Sequence, residues 1–555
     1  MGFTGSGGSR RYGMHLAAAA WALACGATAV SGCSAILGFD DTTLRSDVGA
    51  GAPDAVAPDA DAGARTEAGT SHLSVMPASL VVRRGASVDL TVSVARGGDV
   101  TGPVTARISD LPAGVTAANV VLAPTETSAV LHLVAAPSAT LGAATITVNG
   151  DGSLQPPVPV PLLVADLPGA LDTTFDSDGL VSDPSRGTAS TFLAVGVEPD
   201  GKVLAAGGAA AMGAALNGWV IRRYASNGAA DAAFDAATSA PGVSPIDGQA
   251  QAIAVDGKGN IVCVGFTQAA PARQLTVVRL LPTGALDKSF GGTGIVHISG
   301  EPPGTASFGY GVAVQADGAI VVAGSRRDLI GNGESGILTR FLENGARDTT
   351  FNAGATVVVA GTRFVGVAVD ADGLLVGGST IGGALPSYFA TRRSAQGVID
   401  ANFGKAGTAA FGNTYSANAF ARLADGSVAL VGDVQQGAAG YTAGVVSPKG
   451  ADVFARAYGN AASAGFFGIA VQADGNIIAA GHTAVTNGEA RVQRILPNGD
   501  KDIAFGTAGT ATIEAAATAD GIDVTLFAAA VQSDGRILVA GNRTNAGGVI
   551  YRLWP

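Results

Sequence analysis

Three stretches between residues 71 and 166 alternate apolar and polar side chains: Val88-Asp-Leu90-Thr-Val92-Ser-Val94, Val130-Leu-His132-Leu-Val134 and Ala144-Thr-Ile146-Thr-Val148. A period of two turns one face of each segment toward a core and the other toward water, as in a half-buried strand. Turn residues separate them at Gly97-Gly98-Asp99, Leu111-Pro-Ala-Gly114 and Asn149-Gly150-Asp151-Gly152. Short strands so spaced predict a small β-sandwich over residues 71–166. From residue 167 the pattern changes to apolar runs reversed by an Asp-Gly pair, as where Val312-Ala-Val314 meets Asp317-Gly318 and returns through Ile320-Val-Val-Ala323. Asp-Gly accommodates the positive φ of a tight hairpin turn, so each such place predicts two antiparallel strands.

The hairpin belongs to a repeat. One unit reads Tyr310-Gly-Val-Ala-Val-Gln-Ala-Asp317-Gly318-Ala-Ile-Val-Val-Ala-Gly324, then Gly336-Ile-Leu-Thr-Arg340-Phe-Leu-Glu-Asn-Gly345-Ala-Arg-Asp348-Thr-Thr-Phe351. The turn aspartate recurs at Asp200, Asp317, Asp372, Asp425, Asp474 and Asp534, with Lys258 in its place in the second unit. A glycine seven residues later recurs at Gly207, Gly265, Gly324, Gly432, Gly481 and Gly541, and is read as the end of the second strand. A third strand carries an arginine, and Asp-x-x-Phe leads into a fourth, such as Gly294-Ile-Val-His-Ile298. Four antiparallel strands per unit, repeated at about 50–60 residues, predict propeller blades.

The ends of the array fit each other. The last unit stops after its third strand, at Tyr551-Arg552-Leu-Trp-Pro555, and the missing tail stands at the front as Asp172-Thr-Thr-Phe175. The expectation is an all-β protein: a seven-bladed β-propeller over residues 167–555, closed by an N-terminal strand and preceded by the sandwich. Closure removes the sheet edges that an open array would expose.

Two polar positions recur in register. Arginine stands five residues before the turn glycine at Arg223, Arg279, Arg340, Arg392 and Arg494, and Arg552 fits the split unit. Aspartate stands three after that glycine at Asp231, Asp287, Asp348, Asp400 and Asp502, with Asp172 supplied by the front fragment. In the fifth unit both become valine, Val445 and Val453. Joint loss of two opposite charges predicts that the side chains touch: an Arg–Asp pair within each blade, a Val–Val contact in the fifth, and an Arg552–Asp172 latch on the ring. Phe175, Phe234, Phe290, Phe351, Phe403 and Phe505 are expected to plug the spaces between blades.

Composition narrows the setting. The 555 residues carry a formal net charge of −11, with no basic cluster, so nucleic acid is not an expected partner. Three cysteines, Cys25, Cys33 and Cys263, make no disulfide framework. Arg10 and Arg11 precede an apolar run from Met14 to Val30, so residues 1–32 read as an export signal. The run ends in Val30-Ser31-Gly32-Cys33, which resembles the lipobox of bacterial lipoproteins and implies cleavage before Cys33 and acylation there. Ser34 after it implies, by the same resemblance, the outer membrane or cell surface. Residues 33–70 are then a tether, because Gly51-Ala-Pro-Asp-Ala-Val-Ala-Pro-Asp-Ala-Asp61 offers nothing to bury.

Two further resemblances follow. Residues 71–166, with Leu111-Pro-Ala-Gly114-Val115, are similar to bacterial immunoglobulin-like domains, though without their cysteine pair and core tryptophan. Val471-Gln-Ala-Asp474-Gly475-Asn-Ile-Ile-Ala-Ala-Gly481 and Val531-Gln-Ser-Asp534-Gly535-Arg-Ile-Leu-Val-Ala-Gly541 resemble the delta-60 repeat, which implies an exported β-propeller and carries no catalytic residues.

Candidate chemistry is sparse. His15, His72, His132, His297 and His482 are dispersed, without zinc spacing. Cys263 lies in the apolar run Ile261-Val-Cys-Val264, as a buried thiol would. Gly331-Asn-Gly333-Glu-Ser-Gly336 matches a dinucleotide fingerprint but opens no helix, and Asp370-Ala-Asp372-Gly373 falls on the common hairpin turn rather than a calcium loop. No catalytic residue, metal or cofactor is expected, and the chain is not expected to be an enzyme. The expected function is a monomeric, membrane-anchored binding or scaffolding module whose partner is an envelope protein or extracellular ligand. Its contact loops would include 209–217 and 326–335; the alternative is a lyase or hydrolase acting at the channel mouth.

Overall fold

The computed structural model describes residues 71–555 except 99, 152–153, 155, 184–187, 212–217, 239–245, 269–271, 299–303, 331–332, 382–384, 435–439, 460–463, 484–488, 514–523 and 545. The export signal, Cys33 and the linker to residue 70 lie outside the described residues. The chain is nearly all β, with one α-helix among the described residues, Ala232–Thr238. No helix among them is long and apolar enough to cross a membrane. Two compact units form, described separately.

The smaller unit holds two sheets. One orders His72–Met76, Ser87–Ala95, Ser128–Ala135 and Val115–Ala117; the other orders Leu80–Arg83, Val158–Ala165, Gly142–Gly150, Val104–Ser109 and Val120–Leu122. The alternating positions foreseen as apolar, among them Leu90, Val92, Leu131, Leu133, Ile146 and Val148, are fully buried in one core. The boundary expected after residue 166 falls after Gly179, and residues 534–536 and 553–555 join this unit. Trp554 explains the difference: it is wholly buried against Leu163 and Ala165. Its backbone N–H donates to the Ala170 carbonyl, and its own carbonyl accepts from Gly169 N–H, both at 2.9 Å.

Among the described residues the larger unit forms seven small antiparallel sheets. Sheet 1 is Thr188–Val197, Val203–Ala211 and Gly218–Tyr224; sheet 2 is Gln249–Val255, Ile261–Thr267, Gln274–Leu280 and Ile295–His297; sheet 3 is Thr305–Val314, Ile320–Asp328, Glu334–Phe341 and Val357–Ala360. Sheet 4 is Thr362–Asp370, Gly373–Thr380, Ser387–Arg393 and Thr408–Phe411, and sheet 5 is Tyr415–Arg422, Val428–Val434, Tyr441–Val446 and Asp452–Ala457. Sheet 6 is Gly465–Val471, Ile477–His482, Ala490–Ile495 and Thr510–Ile513. Sheet 7 is Val524–Val531, Ile537–Arg543 and Gly547–Leu553, and its fourth strand is Leu180–Ser182 from the front of the unit. The register pairs Leu180 with Tyr551, Val181 with Ile550 and Ser182 with Val549. The first strands touch in order from sheet 1 to sheet 7, and that of sheet 7 touches that of sheet 1.

A tight hairpin turn at Asp-Gly has two common geometries, a two-residue turn with positive φ at both positions and a type I turn followed by glycine, and the structure has the second. Gly318 N–H donates to the Gln315 carbonyl and Gln315 N–H to the Ala319 carbonyl, so a type I turn is followed by a glycine at φ 81°. Asp-Gly serves either geometry; here only the glycine takes positive φ, and Asp317 accepts from Ala319 N–H at 2.9 Å.

Candidate functional site

The recurring arginines and aspartates meet in four sheets. Arg223 lies 2.8 Å from Asp231, Arg279 2.7 Å from Asp287, Arg340 2.5 Å from Asp348, and Arg494 2.7 Å from Asp502. In each the carboxylate takes the Nε/Nη2 edge of the guanidinium. The other edge reaches the next sheet: Arg223 Nη1 donates to the Pro282 carbonyl at 2.6 Å and Arg279 Nη1 to that of Glu343 at 2.5 Å. Arg340 Nη1 donates likewise to the Ala395 carbonyl, and Arg552 Nη1 to that of Ser226, from sheet 7 to sheet 1. The pair thus lies within one unit, as expected, and the other edge of the arginine clamps that unit to the next sheet.

The phenylalanine completes the clamp. The Arg340 guanidinium lies 5.1 Å over the Phe351 ring, and Arg279 4.8 Å over Phe290, within cation–π range. The ring in turn fills the space under the next sheet's turn glycine, since a Cβ on Gly397 would stand 2.7 Å from Phe351. Burial alone would raise the Asp348 carboxyl, but hydrogen bonds from Thr350 and Arg340 outweigh it and hold it below the usual range. Asp287 is held low in the same way by Ser289 and Arg279, and Asp231 by Phe234 N–H and Arg223. At the split unit, Asp172 accepts from Thr174 and lies 3.3 Å from Arg536, whose guanidinium sits 5.0 Å over Trp554.

Two units depart from the expected pairing. Arg392 does not hold Asp400; it bonds Asp372 at 2.8 Å and Asp370 at 3.1 Å. The turn of sheet 4 is shorter, with Asp370 opposite Gly373 in the ladder, and this brings a buried carboxylate onto the arginine and onto Arg422 at 2.8 Å. Asp400 is left accepting from Asn402 N–H at 3.0 Å. In the fifth unit Val445 is buried but Val453 is 50% exposed, so the expected Val–Val contact is absent. A bulge opposite Val445/Val446 turns Val453 outward and aligns Phe454 with Val445. Phe454 fills the place under Gly499, while Tyr458 donates to the Gly499 carbonyl at 2.8 Å and Arg456 pairs with Asp500 at 2.5 Å.

The residue two before the turn aspartate, passed over in the sequence, also touches the clamp: Glu198 lies 3.5 Å from Arg223, and Arg340 donates to Gln315 at 3.3 Å. A second recurrent device is a β-bulge in every first strand, seven residues before the turn aspartate, at Leu193, Gln251, Tyr310, Val365, Asn418, Phe467 and Phe527. The recurring glycine is its counterpart and lies inside the second strand, not at its end. A Cβ on Gly324 would meet the Phe308 carbonyl oxygen at 1.9 Å, and one on Gly432 that of Ser416 at 1.7 Å.

Polar side chains near the bulges are largely engaged with neighbouring sheets. Ser379 accepts from Ala417 N–H at 2.6 Å, Asn418 donates to the Phe466 carbonyl at 3.1 Å, and Ser190 accepts from Gly548 N–H at 2.9 Å. Glu334 receives both ends of Arg363 at 2.8 Å, with Arg327 at 3.2 Å. His482 is stacked on Phe467 at 4.7 Å, and burial pulls its ring down to about 4. Burial pushes the Cys263 thiol up, which suits a core residue and not a nucleophile. His297 lies 2.9 Å from the hydroxyl of buried Thr276. Among the described residues no His, Cys, Asp and Glu group could hold a metal ion. Of the two loops expected to make contacts, 212–217 and 331–332 are outside the described residues; Leu329 and Ile330 are exposed.

Residues 198–234, 315–351, 472–505 and 532–555 match the family model described as "Domain of unknown function (DUF5122) beta-propeller". The repeats are thus of a β-propeller type. No curated protein matches the chain in sequence. Among solved structures, domains 5–6 of the S-layer protein SbsC align over 41% of this chain and 94% of theirs, at 14% identity and a TM-score of 0.14. An endo-arabinase from Bacteroides thetaiotaomicron aligns over 68% and 96%, at 8% identity and a TM-score of 0.26. The Yersinia pseudotuberculosis adhesin InvE aligns over 57% and 67%, at 12% identity and a TM-score of 0.13.

Proposed function

We propose that the seven sheets are the blades of a closed seven-bladed propeller of delta-60 type, carried with an immunoglobulin-like spacer by an outer-membrane or surface lipoprotein anchored at Cys33. The propeller acts as a non-enzymatic, monomeric binding or scaffolding module, and its contact surface is the set of loops between second and third strands. One observation supports this reading: the recurring polar groups are consumed in contacts within and between sheets, as Arg279 is by Asp287 of its own unit and by the Glu343 carbonyl of the next. Chemistry that differs among units therefore lies in the loops, such as the exposed Leu329-Ile330 tip. Capture from native membranes with the full-length chain tests it. A partner recovered by wild type and lost when residues 329–333, between the two strands, become Gly/Ser is expected; recovery of the same partners by both would overturn it. Mass spectrometry should find the mature N-terminus acylated at Cys33, and an unmodified N-terminus would remove the anchor.

A further inference from the structure

Arginines gather where the second and third strands of sheets 2 and 3 are joined. Arg273 stands just before the third strand of sheet 2, and Arg326 and Arg327 lie near the end of the second strand of sheet 3. The Arg273 guanidinium sits 4.8 Å over the Phe266 ring and 5.8 Å over Phe308, whose ring also carries Arg327 at 5.4 Å. Phe266 and Phe308 are buried and meet edge to face at 5.3 Å, so both charges rest on a fixed apolar floor. Arg326 lies alongside, because its register partner Ser307 donates its N–H to the Arg273 carbonyl at 3.0 Å. Ile320 and Val322 share a core with Val262 and Val264 of sheet 2, and strand alternation puts Arg326 on that same face.

Nearby carboxylates are already engaged. Glu334 is shared by Arg363, at 2.8 Å, and Arg327, at 3.2 Å, while Asp328 accepts from the Ile330 N–H at 3.0 Å. Arg273 forms no ion pair with a described residue. Its Nε donates to Gln268 at 3.1 Å, and Nη1 and Nη2 bond no described residue. The side chain is only half-buried and neither Nη atom is enclosed, so this end of the guanidinium reaches solvent. We propose that Arg273, flanked by Arg326, binds the oxyanion group of a ligand, a carboxylate, sulfate or phosphate, through its Nη1/Nη2 end. The parallel N–H groups there match two oxygens of such a group, and the aromatic floor with Gln268 holds the fork in place before a ligand arrives. The inference rests on the loop-surface reading above and names the chemistry that surface recognises.

The test is calorimetric titration of the full-length chain with citrate, inorganic sulfate and inorganic phosphate at matched ionic strength. Wild type should bind at least one of them saturably, and the tightest arm identifies the oxyanion. Arg273→Lys keeps the charge but not the fork and should weaken that arm about tenfold, the loss of one charge-assisted hydrogen bond. Arg273→Gln should abolish it. Arg347→Gln removes the same charge at an exposed position, where the side chain bonds Thr356, and should bind as wild type does. No saturable binding by wild type, or equal weakening in Arg273→Gln and Arg347→Gln, would overturn the site. The two readings fail separately. Loss of a captured partner on replacing residues 329–333, with no anion bound, would leave the binding module and remove the site; anion binding through Arg273, with capture unchanged by that replacement, would do the reverse.

Discussion

Replacing Asp348 by alanine removes one half of a clamp and leaves the other half in place. The side chains of Arg340 and Asp348 retain only 9% and 4% of their surface. The variant therefore strands a desolvated guanidinium that still bonds the Ala395 carbonyl and packs over Phe351. An uncompensated buried charge of this kind costs roughly 3–5 kcal/mol, whereas the intact pair contributes little beyond an apolar pair of similar volume. Asp348 also accepts from the Thr350 N–H at 2.8 Å and hydroxyl at 2.7 Å, but Thr350 is exposed and water can replace the carboxylate there. Urea unfolding of the full-length chain should show D348A destabilised by about that amount, and D348A in an R340L background by under about 1 kcal/mol. Equal costs in the two backgrounds, or a single-variant cost within about 0.5 kcal/mol of zero, would refute the view that the arginine is the group left in difficulty.

Further consequences are equally open to measurement. Gly432→Ala would place a Cβ 1.7 Å from the Ser416 oxygen and should cost at least about 3 kcal/mol, while Gly257→Ala meets nothing within 4 Å and should be neutral; similar midpoints for both would contradict the bulge account. His482 is neutral in the fold with a pKa of about 4, so the unfolded chain binds its proton first as pH falls. Stability should decline by roughly 3 kcal/mol between pH 6.5 and 4, and His482→Phe should flatten that slope in urea titrations; an unchanged slope would exclude the histidine as its source. The depressed carboxyls of Asp231, Asp287 and Asp348 act in a lower window: their contribution is present above about pH 4 and lost as pH falls below it. D287N should therefore cost stability at pH 5 and much less at pH 3, flattening the acid limb; equal costs at the two pH values in urea titrations would contradict this.

Much of this architecture could be read from spacing. The turn aspartates, the arginine and the Asp-x-x-Phe corner recur at fixed offsets because each sheet must meet its neighbour with the same groups. The partner of Arg392 was misread because a turn one residue shorter brings in Asp370, and turn length is invisible when Asp372-Gly373 looks like every other Asp-Gly. Phe454 escaped because it stands four residues after Gly450, not six. The bulges left no common residue type, only a shared distance from the aspartate. Their imprint was the recurring glycine, whose cause is a carbonyl oxygen too close for any Cβ.

Cysteines at 182 and 549 offer the most direct probe of closure, because Ser182 and Val549 are register partners across the join between the front strand and the last sheet. In the full-length S182C/V549C chain, mild oxidation under native conditions should give an intramolecular cross-link within monomers, detected by peptide mapping, and a raised urea midpoint. Cross-links only between molecules, or none until the chain is unfolded, would show that the front strand does not complete the seventh sheet.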